Sequence, residues 1–272
     1  MLQYQFTARY YYNLAEKINT LLWGICTLTL LVALIPTLND YDWINVLLFI
    51  CDILLFILVA YHKALVTRAA NIRAVFDDYV FGISSMDFSS KEINHLNEVV
   101  FKTIRLHTEE AQIQINNTGI DTPPGVKNWY ESTDNFSVQN PILFCQKQNI
   151  FWTEKMIITK AIYTFVEFLL LFTIVALVWS LSEISLITTL LGFLGFIVKI
   201  IERIFENIKY IICYIKIQGI IETLESSCSA QNIVTLQKAI NNMRAIPVTG
   251  KNFLHKKLAN RLSILFKETV IK

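Results

Sequence analysis

Four stretches of this chain, residues 18–38, 43–61, 157–179 and 184–201, stay apolar for the length a helix needs to cross a bilayer. At 1.5 Å per residue, about 20 residues cover roughly 30 Å of hydrocarbon. Only NDYD (39–42) joins the first pair and SLSE (180–183) the second, so each pair is expected to form an antiparallel hairpin. The composition agrees. Of 272 residues, 54% are hydrophobic and 17% charged, whereas soluble domains carry nearer a quarter charged residues. The expected fold is an all-α membrane protein, with two transmembrane hairpins and a helical cytoplasmic region built from the central insert and the tail.

The cations set the expected orientation. All 24 Lys and Arg lie outside the two tight turns, whose charged residues are Asp40, Asp42 and Glu183. The positive-inside rule then puts the turns outside and both termini in the cytoplasm. This divides the chain into an N-terminal cytoplasmic segment (1–17), a first hairpin (18–61), a cytoplasmic insert (62–156), a second hairpin (157–201) and a cytoplasmic tail (202–272). The first apolar run is too long for a signal-peptide core and reads as a retained span. A multi-pass membrane location is expected.

Two carboxyls fall near mid-span, Asp52 in the second stretch and Glu167 in the third. A charge there costs at least ~2.5–3.5 kcal/mol, so each is expected to face other helices or water rather than lipid. Two readings stand side by side: a structural hydrogen bond that fixes helix packing, or a polar seam that lines a pore. The fourth stretch offers Ser185, Thr188, Gly192, Gly195 and Lys199 at steps of three or four, on one helix face. Small residues on one stripe let helices approach closely, and the same stripe can line a pore.

The insert opens with ALVTRAANIRAVFDDYVFG, in which Leu65, Ala69, Ile72, Phe76 and Tyr79 share one face and Gly82 is a plausible stop. Ser89 and Glu92 are spaced as a capping box before Ile93, Leu96, Val100 and Ile104. The stretch from Val126 to Trp152 reads as neither amphipathic helix nor regular strand. In the tail, Ile233, Leu236 and Ile240 mark another helix, and residues 251–268 a last basic one.

Several function classes drop out. A net charge of +2 lacks the basic bias of a DNA- or RNA-binding protein. The five cysteines form no CxxC and no zinc spacing, so neither a disulfide framework nor a metal site is expected. His95 and Glu98 share a helix face without further ligands, and no P-loop, GxSxG or GxGxxG is present. The chain is therefore not expected to be an enzyme or to carry a cofactor.

RAANIRAVFDDYVFG (68–82), the pair Trp129–Tyr130, PILFCQKQNIFW (141–152) and NNMRAIP (241–247) together resemble the SMODS-associating four-transmembrane effectors, which accompany cyclic-oligonucleotide synthases in bacterial anti-phage defence. The resemblance implies a non-enzymatic effector. A cyclic oligonucleotide would bind the cytoplasmic region, the protein would form a homo-oligomer or rearrange, and the inner membrane would become leaky. A phosphate-rich ligand needs Arg or Lys donors and aromatic planes. Arg68, Arg73, Trp129, Tyr130, Gln146, Asn149 and Trp152 are the candidates. Arg68 and Arg73 are five apart, about 140° around a helix, and need not share one pocket. The alternatives are a small transporter or constitutive channel, and a membrane-anchored adaptor.

Overall fold

The computed structural model describes residues 1–35, 41–119, 121–130, 140–181, 186–227, 229–247, 265 and 268. Its elements are α1 (Leu2–Ala33), α2 (Asp42–Phe81), α3 (Ser90–Leu106), α4 (Thr108–Asn116), α5 (Pro141–Leu181), α6 (Leu186–Ser226) and α7 (Ala230–Arg244). Apart from a single isolated bridge between Thr118 and Lys127, the described residues are helices and loops.

The four long helices exceed what a bilayer requires. α2 has 40 residues and α5 and α6 have 41 each, about 60 Å at 1.5 Å per residue. Each therefore runs on from an apolar half into a more polar body. Among the described residues, α1 and α2 are long and apolar enough to cross a membrane, and only 22% of the most apolar part of α2 is buried. A core helix of a soluble protein would be covered. Here Val46, Phe49, Ile50, Ile53, Phe56 and Ile57 stand 46–61% exposed, the surface expected of a helix solvated by lipid.

Local signals set the ends. Gly82 terminates α2 at φ 62°, a left-handed position that favours glycine. The Ser89–Glu92 capping box forms reciprocally: Glu92 N–H donates to Ser89 Oγ at 3.3 Å and Ser89 N–H to Glu92 Oε2 at 2.8 Å. The expectation of irregular chain up to Trp152 is corrected, because PILFCQKQNIFW is the first third of α5. Asn140 supplies its cap, with its Oδ1 accepting from Ile142 and Leu143 N–H at 3.1 Å each, and Pro141 fills the first helical position.

α1, α2 and α6 meet in the apolar half through Leu22, Cys26, Leu55, Phe196 and Ile200. Below them, Ala8, Ile72, Leu96 and Val100 join α1, α2 and α3. Ile150, Ile217, Leu224, Leu236, Ile240 and Met243 join α5, α6 and α7. Leu65, Ala69, Ile72 and Phe76 are buried as the periodicity predicts, as are Ile233, Leu236 and Ile240. Tyr79 and Ile93 are not: they stand 66% and 38% exposed, at the outer edges of their stripes.

Candidate ligand site around Asp77

Asp77, wholly buried on α2, is the hub at which α2, α5 and α7 meet. Its Oδ1 accepts from the Tyr130 hydroxyl at 2.7 Å and from Arg73 Nε at 3.2 Å. Its Oδ2 accepts from Arg244 Nη1 and from Gln237 Nε2, the latter at 3.2 Å. Burial alone would push the carboxyl up, but Arg73 and then Arg244 outweigh it and hold Asp77 below the ordinary carboxylate range. Asp77 raises Arg244 in turn, more than offsetting burial. Burial pushes the Tyr130 hydroxyl up, so it stays a proton donor to Asp77.

Amides extend the hub. Gln237 Nε2 also donates to Asn241 Oδ1 at 3.0 Å, and Gln237 Oε1 accepts from Gln146 Nε2 at 3.1 Å. Asn241 Nδ2 donates to Ser85 Oγ at 2.9 Å, and Asn149 Nδ2 to Tyr130 Oη at 3.2 Å. Trp129, 41% exposed, lies against the Arg73 guanidinium at 4.5 Å and gives the hub its open side.

Two features bear on what the hub can do chemically. The buried guanidinium of Arg73 and the half-buried one of Arg244 face one carboxylate, two positive charges against one negative. Arg73 Nη2, in a residue 6% exposed, is a donor with no hydrogen-bond partner; the Oε1 of wholly buried Gln146 is also unpartnered, but as an acceptor it calls for a donor and not for an anion. Orphaned buried polar atoms are rare, and an unfilled guanidinium edge suits an oxyanion that binds two donors at once.

Of the predicted ligand residues, Arg73, Trp129, Tyr130, Gln146 and Asn149 come together here. Trp152 lies about one turn further along α5, half-buried. Arg68 points elsewhere, over the Tyr11 ring at 5.3 Å. Asp77, Gln237, Asn241 and Arg244 are the members that residue chemistry alone missed. Three of the four sit on α7, and NNMRAIP is the sequence signal that carries two of them.

The predicted seam divides. Asp52, Gly195 and Lys199 line one crevice with Leu22, Cys26 and Leu55. Gly195 is a close-approach position: a Cβ there would stand 2.7 Å from Leu55 Cδ1 and 2.9 Å from Asp52 Oδ1. Asp52 is 6% exposed, and its Oδ2 has no hydrogen-bond partner. Glu167 is half-buried on α5 and acts electrostatically on Arg203. Thr188 and Gly192 are described only in backbone, and Ser185 and the expected basic helix at 251–268, save for 265 and 268, lie outside the described residues.

A second ionic cluster lies where the apolar half gives way to the body. Lys63 of α2 pairs with Glu202 at 2.7 Å, and Lys199 reaches the same carboxylate at 2.9 Å. Glu206, 6% exposed, has neither oxygen hydrogen-bonded, and burial followed by the neighbouring Glu202 raises it to about 7. Burial and Lys199 push His62 down to about 4. The segment after α7 connects the two clusters: Tyr12 Oη donates to the Arg244 carbonyl at 3.4 Å, and Arg203 Nη1 to the Pro247 carbonyl at 3.5 Å.

Fold and site define a class first: an all-α membrane protein whose long helices run from an apolar half into a body closed around a buried ionic hub. More particularly, the chain belongs to the SMODS-associating 4TM effector domain family, whose model matches residues 1–246, a family of membrane effectors in defence systems. No curated protein and no solved structure matches it.

Proposed function

We propose that this protein is a non-enzymatic effector of bacterial anti-phage defence that binds a cyclic oligonucleotide and then permeabilises the inner membrane. In this reading α1, α2, α5 and α6 each cross the bilayer, both termini are cytoplasmic, and the Asp77 hub is the cytoplasmic receptor. The observation that carries the reading is the open edge of Arg73. A phosphodiester on Arg73 Nη2 and Arg244 would complete the charge balance, and Trp129, already against Arg73, offers a plane for a base.

The ligand must favour the open or assembled form over the resting one, because equal affinity for both shifts nothing. The route for that preference is short. Moving Arg244 moves residues 245–247, whose carbonyl at Pro247 is held by Arg203 on α6. Leakage then follows from the copies rearranging about the crevice at Asp52.

The test is dye and ion release from liposomes that contain the purified protein, run against a panel of cyclic di- and trinucleotides. Release with one or a few members is the expected result. Solute movement without any nucleotide would replace the reading with a transporter or constitutive channel. No conductance under any condition would replace it with a membrane-anchored adaptor.

A further inference from the structure

Between Lys199 and Ile215, α6 is built inside out. Lys199, Arg203 and Glu206 are buried at 3%, 7% and 6% exposure, while Ile204, Phe205, Ile208, Ile211, Ile212 and Ile215 stand 41–63% exposed. The exposed face also has a strict period. Residues 194, 197, 201, 204, 208, 211 and 215 are Leu or Ile throughout, at alternating steps of three and four, and residues 198, 205 and 212 flank them at steps of seven. That is the heptad of a coiled-coil seam, sustained over three repeats.

Lipid cannot cover all of this seam. The fourth span ends at Ile201, and Ile215 lies 14 residues further on, about 21 Å at the helical rise. The headgroup layer adds only about 5–8 Å on each side of the hydrocarbon. Exposed Lys209 and Lys216 beside the lower seam place it in water. A bare apolar strip of this size marks an interaction surface rather than a solvated one.

We infer that the α6 seam is the contact between copies of this chain, packed in parallel through a coiled coil that starts inside the bilayer and continues below it. This rests on the membrane-spanning part of the reading proposed above. The occupant follows from continuity. Leu194, Ile197 and Val198 continue the same exposed face into the span, so one neighbour that covers the whole seam is lipid-embedded above and water-borne below. A soluble partner, or residues 248–272 folding back, would reach the lower half alone. A second copy in the same orientation matches along the whole length, and the heptad matches itself. Isoleucine at both seam positions favours three or more chains over two.

The experiment uses the full chain in membranes with no nucleotide, so its outcome does not depend on whether a cyclic oligonucleotide is the ligand. Ile208→Cys is placed on the seam and Ala64→Cys on the exposed face of α2, each treated with a short thiol cross-linker beside the parent chain. The expected result is a cross-linked pair between two differently tagged copies, several-fold above parent for Ile208→Cys and at parent level for Ala64→Cys. Ile204→Asp with Ile208→Asp should shift the detergent-solubilised protein to monomer size with its helical circular dichroism intact. Equal cross-linking at both sites, a link to the chain's own tail, or an unchanged oligomer with both aspartates present would overturn the inference.

Discussion

Arg244, in the last turn of α7, donates from Nη1 to Asp77 on α2, joining residues 167 apart in sequence. The contact fastens the end of α7 to a helix long and apolar enough to cross a membrane, in a place where Asp77 is wholly buried and the Arg244 side chain is 17% exposed. Because Arg73 shares the same carboxylate from one turn away, the hub is both a structural bolt and an electropositive socket, and the two roles can be separated by mutation.

Asp77→Asn tests the bolt. The amide keeps the shape but leaves the buried Arg73 and half-buried Arg244 guanidinium groups without a counter-charge, and breaking a buried pair this way typically destabilises by about 3–5 kcal/mol. Thermal unfolding in detergent should show a clearly lowered midpoint. A midpoint equal to that of the parent would mean that water reaches the hub freely.

Arg73→Met tests the socket. Losing one charge-assisted hydrogen bond is worth about 1.5–3 kcal/mol, so nucleotide affinity should fall roughly 10- to 150-fold. Arg68→Met, on the Tyr11 side of the same helix, should leave affinity unchanged. Isothermal titration with whichever nucleotide triggers leakage separates the two, and equal losses in both variants would move the site away from Asp77.

These contrasts show where the sequence was legible. Apolar periodicity places Leu65, Ile72, Leu236 and Ile240 correctly because core burial repeats with the helical turn. The capping box at Ser89 and the left-handed stop at Gly82 are local chemistry and carry their own signal. Asn140–Pro141 is an equally local helix start, but the aromatic and polar residues after it hide the periodicity. The choice of Arg73 over Arg68 is different in kind. It depends on α7 folding back onto α2, and no spacing within residues 68–82 encodes that. Asp52 opposite Gly195 is likewise a fact about two helices, since a glycine's role there appears only once its neighbour is known.

Glu206 gives a pH prediction of definite sign. Its folded value of about 7 lies above the ordinary 4.5, so the folded state holds a proton that the unfolded state releases between those values. Stability from this group is therefore greatest below about pH 4.5 and is lost as pH rises through 7. His62, held neutral with a folded value of about 4, slopes the opposite way below pH 6.5, so the comparison must be made against a variant. Glu206→Gln imitates the protonated form at every pH. It should match the parent's unfolding midpoint near pH 4, exceed it by a growing margin as pH rises and stand clearly above it at pH 8, and parallel profiles would show that Glu206 is ionised throughout.

Gly195→Val probes the crevice from one side and Asp52→Leu from the other. Valine places a branched side chain where even a Cβ would press on Leu55 and Asp52 at 2.7 and 2.9 Å. Because Leu55 and Asp52 both sit on α2 and are backed by Leu22 and Cys26 of α1, the helices must part rather than repack. Leucine at Asp52 removes the only carboxylate that lines that crevice among the described residues and leaves its other described walls apolar apart from Lys199. Neither substitution touches the Asp77 hub, about 25 residues further along α2 and so roughly 37 Å away along the helix. Both variants should bind nucleotide as the parent does while changing the rate or extent of liposome release, and Glu167→Leu should do the same if α5 contributes to the conducting path. Release indistinguishable from the parent in all three would confine Asp52 and Glu167 to helix packing and place the leak elsewhere in the assembly.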